Sequence, residues 1–206
     1  MNRAPLLSAA ILALWAGVAP AQTLNGVVDL CSDPLTNGPT KVARLPGLGW
    51  DSAPVDPAVL NGLATAIILG FTSGMPDLEE RFALAPQLAG NFDQMINSGQ
   101  VSLWANGDAV LAVSIALTPE GTEHFACYYA SPTSEDTLAQ MERYGSPEVL
   151  PELELIARRF DETAMAFNPD RNYQMYSTWS RLTSDPPRGP YTDAYRLERI
   201  EQPPAN

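Results

Sequence analysis

The sequence predicts an α+β fold in which helices pack on an antiparallel sheet. Helical patterns occupy residues 57–99, and extended patterns follow over residues 101–130. Helical patterns return after Pro132, and two further extended segments complete the chain. Element types that are segregated along the chain in this way are typical of α+β domains. We therefore expect a single domain with a three-stranded meander, a C-terminal hairpin and about four helices.

The first 21 residues have the pattern of a cleavable secretory signal peptide. Arg3 and the amino terminus provide a positive end, and an apolar stretch runs from Leu6 to Val18. Ala19-Pro20-Ala21 fits the A-x-A motif of signal peptidase, so we expect cleavage after Ala21. The apolar stretch is shorter than the ~20 residues that a membrane-spanning helix requires. We expect a soluble periplasmic or extracellular protein, residues 22–206, without a stable membrane anchor.

The protein that remains after cleavage is strongly acidic. Arg3 is the only charged residue removed, which leaves 11 Lys and Arg against 24 Asp and Glu, a net charge of −13. Nucleic acids and anionic membranes are bound through basic patches, so this charge argues against both as partners.

Two cysteines remain after cleavage, Cys31 and Cys127. An even pair in an oxidising compartment predicts a disulfide. It would close a loop of nearly a hundred residues, for which chain entropy predicts a stabilisation of ~4–5 kcal/mol. Redox-active pairs usually have the spacing C-x-x-C, so we expect a structural bridge.

The first half of the chain predicts an irregular segment followed by helices. Residues 22–55 are rich in Pro and Gly, and we expect an ordered but irregular lead-in with a short strand at Val27–Cys31. Asp56-Pro57 indicates a helix start, with an acidic N-cap before a proline. This helix should end at Ser73-Gly74, and a second helical region is predicted over residues 77–99.

Three successive strands are predicted next, at Val101–Ala105, Ala109–Leu117 and Glu123–Ala130. Asn106-Gly107, between the first two, is a strong hairpin signal. The second strand is apolar at nearly every position, which predicts that both of its faces are covered. We expect it to be the central strand.

The remaining third of the chain is predicted to be helical and then extended. A short helix is expected over residues 134–144, and another helix from Pro151. The second helix is predicted because apolar residues recur at spacings of three and four: Leu153, Ile156, Phe160, Ala164 and Phe167. Strands are predicted at Asn172–Leu182 and Tyr191–Ile200, and residues 201–206 should form a frayed tail.

Few residues suggest catalysis. His124 is the only histidine, and no clustered metal-ligand or nucleotide-binding motif occurs, so we expect neither a metal site nor a cofactor. Residues 70–74 miss the G-x-S-x-G motif of serine hydrolases by one place. A small secreted hydrolase that uses His124 as its base, or a pair of carboxylates, is the alternative function.

Aromatic and arginine residues are concentrated near the C-terminus. We single out Tyr176, Trp179, Arg181 and Arg196 as a possible ligand or partner surface. Such groups bind anionic or aromatic ligands and proteins, although aromatic residues also pack across strands without any binding role. The main prediction is a non-catalytic binding or protein-interaction module whose partner is an unknown protein or a small anionic ligand.

Overall fold

A computed structural model describes residues 20–71, 77–119, 121–165 and 172–201. Its α-helices are α1 (Pro20–Ser32), α2 (Gly38–Arg44), α3 (Pro57–Phe71), α4 (Leu78–Ala83), α5 (Ala85–Asn97) and α6 (Glu135–Arg143), with 3₁₀ turns at Pro46–Leu48 and Pro151–Leu153. Its strands are β1 (Asp51–Ser52), β2 (Val101–Asn106), β3 (Ala109–Leu117), β4 (Glu123–Ser131), β5 (Glu148–Leu150), β6 (Leu155–Met165), β7 (Asn172–Leu182) and β8 (Asp193–Glu201). The α+β class is confirmed.

The eight strands form one antiparallel sheet in the order β1-β2-β3-β4-β8-β7-β6-β5. The predicted meander, β2–β4, and the predicted hairpin, β7–β8, are both present. They join because β8 pairs with β4, for example Cys127 with Leu197. The centre of the sheet is therefore the β4–β8 pair, and the prediction that β3 is central was wrong.

The strand order divides the sheet into two halves of equivalent topology. In the first half, β1 lies at one edge of the sheet and β2, β3 and β4 follow in order toward the centre. In the second half, β5 lies at the other edge and β6, β7 and β8 follow in order toward the centre. Each half consists of a short edge strand and a three-stranded meander. No repeat in the sequence indicated this arrangement.

Helices cover both faces of the sheet. Cys127 lies on the face covered by α1, α2 and α6, which we call the disulfide face; its core includes Val27 and Leu111. The opposite face, which we call the α3 face, is covered by α3, α4 and α5; its core includes Leu63 and Ala126.

Side-chain caps begin several helices where the sequence predicted them. Asp77 accepts a hydrogen bond from the Glu80 amide at 2.9 Å and caps α4. Ser134 accepts one from the Asp136 amide at 3.2 Å and caps α6. Such caps satisfy amide groups that have no partner within the helix.

The predicted irregular lead-in at residues 22–55 is wrong for much of its length, because α1 and α2 occupy it. The buried residues Leu24, Val27, Val28 and Cys31 have the spacing i, i+3, i+4, i+7, which places them on one side of a helix. The short strand predicted at Val27–Cys31 is part of α1. The apolar residues of this helix are interrupted by Asn25, Gly26 and Asp29, which concealed the pattern.

The helix predicted from Pro151 is also wrong. Only a 3₁₀ turn follows this proline, and β6 then pairs with β7 over eleven residues. Ile156 and Phe160 are four residues apart, and an even spacing places two side chains on one side of a strand as well as of a helix. Both pack against the core of the disulfide face, so the same pattern was satisfied by a strand.

Some predictions concern residues outside the described ranges. These are all but the last two residues of the predicted signal peptide, the helix end predicted at Ser73-Gly74, Phe167, and residues 202–206 of the predicted tail. Glu201, the first residue of that tail, is buried at the end of β8. Among the described residues, no helix combines the length and apolarity that a bilayer crossing requires.

Candidate functional site

The predicted disulfide between Cys31 and Cys127 is present. The two Sγ atoms are 2.06 Å apart, and the Cα atoms are 6.3 Å apart. Both cysteines are buried in the core of the disulfide face. The bridge fastens the end of α1 to the middle of β4.

The structure does not bring the four residues of the predicted binding surface together. Trp179 and Arg181 lie on the disulfide face, because their partners across β8 are Tyr195 and Asp193. Tyr176 and Arg196 lie on the α3 face. Side chains alternate between the two faces along a strand, so residues separated by three positions, such as Tyr176 and Trp179, point in opposite directions.

Trp179 is part of the core. It is only 1% exposed. Its ring stacks on Tyr144 at 4.5 Å between centroids and contacts Tyr195 at 5.0 Å. Its contribution is therefore to packing between α6 and the sheet.

Arg181 forms an ion pair with the fully buried Asp193. Its Nε donates to Oδ1 at 2.7 Å, and its Nη2 donates to Oδ2 at 2.8 Å. Asp193 also accepts from the Ser134 amide at 2.7 Å, and Arg181 donates to the Ser134 carbonyl. This network fixes the start of α6 to the sheet. The guanidinium of Arg181 is used in these contacts, so its role is structural.

Arg196 joins the sheet to the end of α3. Its Nη2 donates to the Glu198 carboxylate at 2.6 Å, and its Nη1 donates to the Gly70 carbonyl at 2.7 Å. Glu198 also accepts from the Tyr128 hydroxyl at 3.2 Å. Tyr176, opposite Glu198 in the register, is half-buried beside this network.

His124 lies on the α3 face near the start of β4, opposite Ala116 and Ile200. Its Nε2 atom is buried and has no hydrogen-bond partner within the described residues. A general base of a serine hydrolase requires a nucleophile within hydrogen-bond distance. The described contacts of His124 provide no such neighbour.

A buried charge cluster, which the sequence did not indicate, lies under the segment that follows α1. Lys41 and Arg199 are each 1% exposed. Lys41 Nζ donates to the Cys31 carbonyl at 2.6 Å and lies 4.7 Å from the centre of the Phe125 ring. Burial, with a smaller effect from the Arg199 charge, lowers the pKa of Lys41 to about 7.

Arg199 and Glu123 complete this cluster. Arg199 Nη1 donates to the Asp33 and Thr36 carbonyls at 3.2 and 3.0 Å, and its Nη2 donates to the Glu123 carboxylate. Glu123 also accepts from the Gly38 amide at 2.9 Å. A Cβ atom at Gly38 would lie 2.9 Å from Ile115, so only glycine permits this approach. The cluster binds the segment between α1 and α2 to the end of the sheet.

The arginines of β6, β7 and β8 differ in how they are paired. Arg158 donates to the Tyr144 carbonyl at 2.8 Å, and Arg181, Arg196 and Arg199 are bound as described above. Arg159 alone among the five has no hydrogen-bond or ion-pair partner in the part of the chain that the structure describes. It lies on the α3 face, opposite Thr178.

Arg159 lines a cavity of about 230 Å³ between the end of α3, α4 and the strands β5 to β7. Its lining consists of Leu69, Gly70, Arg81, Glu148, Leu150, Leu153, Leu155, Ala157, Arg158, Arg159, Thr178 and Ser180. Arg81 is 7% exposed, and Glu148 is the only acidic residue in this lining. The cavity thus combines apolar walls with the Arg159 guanidinium, and we call it the Arg159 cavity.

None of the family models, curated proteins or solved structures with which the chain was compared matches it.

Proposed function

We propose that this chain is an exported, non-catalytic binding protein that takes a small anionic ligand in the Arg159 cavity. The observation that carries the proposal is the pairing of the arginines. Four of the five arginines in β6 to β8 have partners in the protein, whereas Arg159 has none among the described residues and borders a cavity. Arg159 is exposed to solvent and lines the cavity, so its guanidinium is accessible to an anion whose apolar part packs on the cavity wall.

The lining of the cavity suggests the chemistry of the ligand. Arg159 provides a planar, multidentate donor suited to a carboxylate. Leu69, Leu153 and Leu155 provide apolar surface for an alkyl group. Thr178 and Ser180 add hydroxyl groups on the same side of β7. The cavity is smaller than the ~300 Å³ at which sites for drug-sized ligands begin, so we expect a short-chain carboxylate.

Calorimetric titration with sodium hexanoate tests this proposal. We expect the wild type to bind hexanoate and Arg159→Gln to bind it at least about tenfold more weakly, because a charge-assisted hydrogen bond is lost. Arg143→Gln is the matched control, since Arg143 is exposed at the end of α6 and does not line the cavity. Hexylamine, a cation with the same alkyl chain, should not bind.

Two results would contradict the proposal. One is the absence of hexanoate binding to the wild type, and the other is equal weakening by Arg159→Gln and Arg143→Gln, which would indicate a non-specific charge effect. The non-catalytic part is tested separately by incubating the mature protein with esters, peptides and glycans. Turnover that is lost in His124→Ala would instead favour the hydrolase.

The export part of the proposal is supported by the signal-peptide pattern, the disulfide and the lack of a bilayer-spanning helix in the described ranges. The intact mass of protein recovered from the periplasm or medium should correspond to a chain that begins at Gln22. Recovery of the chain with Met1 intact would contradict cleavage after Ala21.

A further inference from the structure

Two grooves flank the turn between β2 and β3, at a place separate from the Arg159 cavity. Their volumes are about 430 and 440 Å³. They share Gly107, Asp108, Ala109 and Pro132, so they adjoin each other across the turn. Neither groove has a lining residue in common with the Arg159 cavity.

The first groove, between the turn and the start of α3, has largely apolar walls. Val59, Tyr191 and three prolines, Pro54, Pro132 and Pro190, supply them. The wall formed by residues 190–191 is held closely against α3, because a Cβ atom at Gly62 would lie 2.9 Å from Pro190 and 3.0 Å from the Tyr191 ring. This tight packing indicates a preformed groove.

Both grooves carry negative charge. Asp56 and Asp108 line the first groove, and Asp108, Glu135 and Asp136 line the second. Within the described chain, no Lys or Arg lines either one. These negative charges affect the Tyr191 hydroxyl. Its pKa is raised mainly by burial, and in addition by the charges of Asp108 and Asp56.

We propose that the two grooves together bind an extended segment of a partner protein in which basic residues alternate with apolar ones. The apolar walls accept the apolar side chains, and the four carboxylates attract the basic side chains. A chain in extended conformation directs alternate side chains to opposite sides, and the grooves lie on the two sides of the β2–β3 turn. This proposal is independent of the ligand proposed for the Arg159 cavity.

Fluorescence anisotropy with a labelled eight-residue peptide of alternating lysine and leucine tests the proposal. We expect the wild type to bind this peptide and the double variant Asp108→Asn/Glu135→Gln to bind it at least about tenfold more weakly. The matched control is Glu80→Gln/Glu142→Gln, which removes the same charge from exposed positions outside both grooves and, like the test variant, includes one first-turn glutamate. A peptide of alternating glutamate and leucine should not bind.

Three results would contradict the proposal that the two grooves bind a basic, apolar segment. The wild type could fail to bind the lysine–leucine peptide, or both double variants could weaken binding equally, which would mean that only net charge matters. The third is equal binding of the glutamate–leucine peptide, which would mean that the carboxylates do not select the partner.

Discussion

The two halves of the sheet have the same topology but different chemistry. Strands β2, β3 and β4 contain no Lys or Arg, whereas β6, β7 and β8 contain five arginines. The first half is stabilised mainly by apolar burial, as at Leu111 on one face and Ala112 on the other. Apolar burial is non-directional and requires no specific partner.

Charges within a sheet impose a stricter requirement, because each one needs a partner to offset its loss of hydration. Asp193 and Glu198 of the second half, Glu123 at the start of β4 and main-chain carbonyls meet this requirement for four of the arginines. Arg159 is exposed and keeps its hydration, and it has no partner among the described residues. The comparison therefore separates the arginines that maintain the fold from the one that is available to a ligand.

The largest effect is expected from Arg199→Gln, which removes one partner of a buried ion pair. Glu123 would remain buried without its counter-charge, and the Asp33 and Thr36 carbonyls would lose a donor. We expect the free energy of unfolding to fall by about 3–5 kcal/mol, measured by urea denaturation. A loss below about 1 kcal/mol, the range of an exposed pair, would remove the distinction between the halves.

Leu111→Ala gives the corresponding test of the first half. Leu111 is fully buried on the disulfide face, and its truncation leaves a cavity in a close-packed core. We expect a loss of about 2–4 kcal/mol in the same urea experiment. Since no charge is involved, the loss should not change between low and high salt, and a strong salt dependence would argue against this account of the first half.

A smaller, pH-dependent effect is expected from Lys41. Its pKa is lowered from 10.5 to about 7 in the folded protein. Between these values the unfolded chain binds the proton more strongly, so stability should rise as the pH increases from about 7 to about 9. The window ends there because the buried Tyr129, whose pKa is raised to about 12, acts in the opposite direction once tyrosine ionises in the unfolded chain.

Lys41→Met is the variant that isolates this effect. Methionine is unbranched and one heavy atom shorter than lysine, and it cannot titrate. The difference in unfolding free energy between this variant and the wild type should therefore vary with pH over this window. Asp33 and Glu123 favour the charged form of Lys41 and limit the effect, whereas Arg199 and Arg44 oppose that form. A difference that stays constant with pH would contradict the lowered pKa.

The sequence predicted the parts of the fold that depend on local signals. The Asp56 cap, whose carboxylate accepts from the Ala58 amide at 2.8 Å, and the Asn106-Gly107 turn each act within a few residues. The two cysteines were paired by elimination. The predictions for α1 and β6 were wrong. In α1, polar residues separate the apolar positions along the sequence, and the apolar run at its end was assigned to a short strand. In β6, the spacing of Ile156 and Phe160 is satisfied by a strand as well as by a helix.

The candidate site was less predictable because it depends on long-range register. Strand alternation alone could have separated Tyr176 from Trp179, but the pairing of Arg181 with Asp193 depends on how β7 aligns with β8. The partners of Arg199, and the Phe125 ring beside Lys41, come from distant segments that carry no local signal. Arg159 was not singled out, because it was assigned to a helix and its lack of a partner is visible only in the folded chain.

The most direct test of the central claim is a ¹⁵N–¹H correlation spectrum of the mature protein titrated with sodium hexanoate. We expect saturable shifts for amides of α4 and β5 to β7 around Arg159, and no shifts for amides of β2 and β3. Shifts spread evenly over both halves, or confined to β2 and β3, would contradict the claim that the unpaired charge in the second half forms the ligand site.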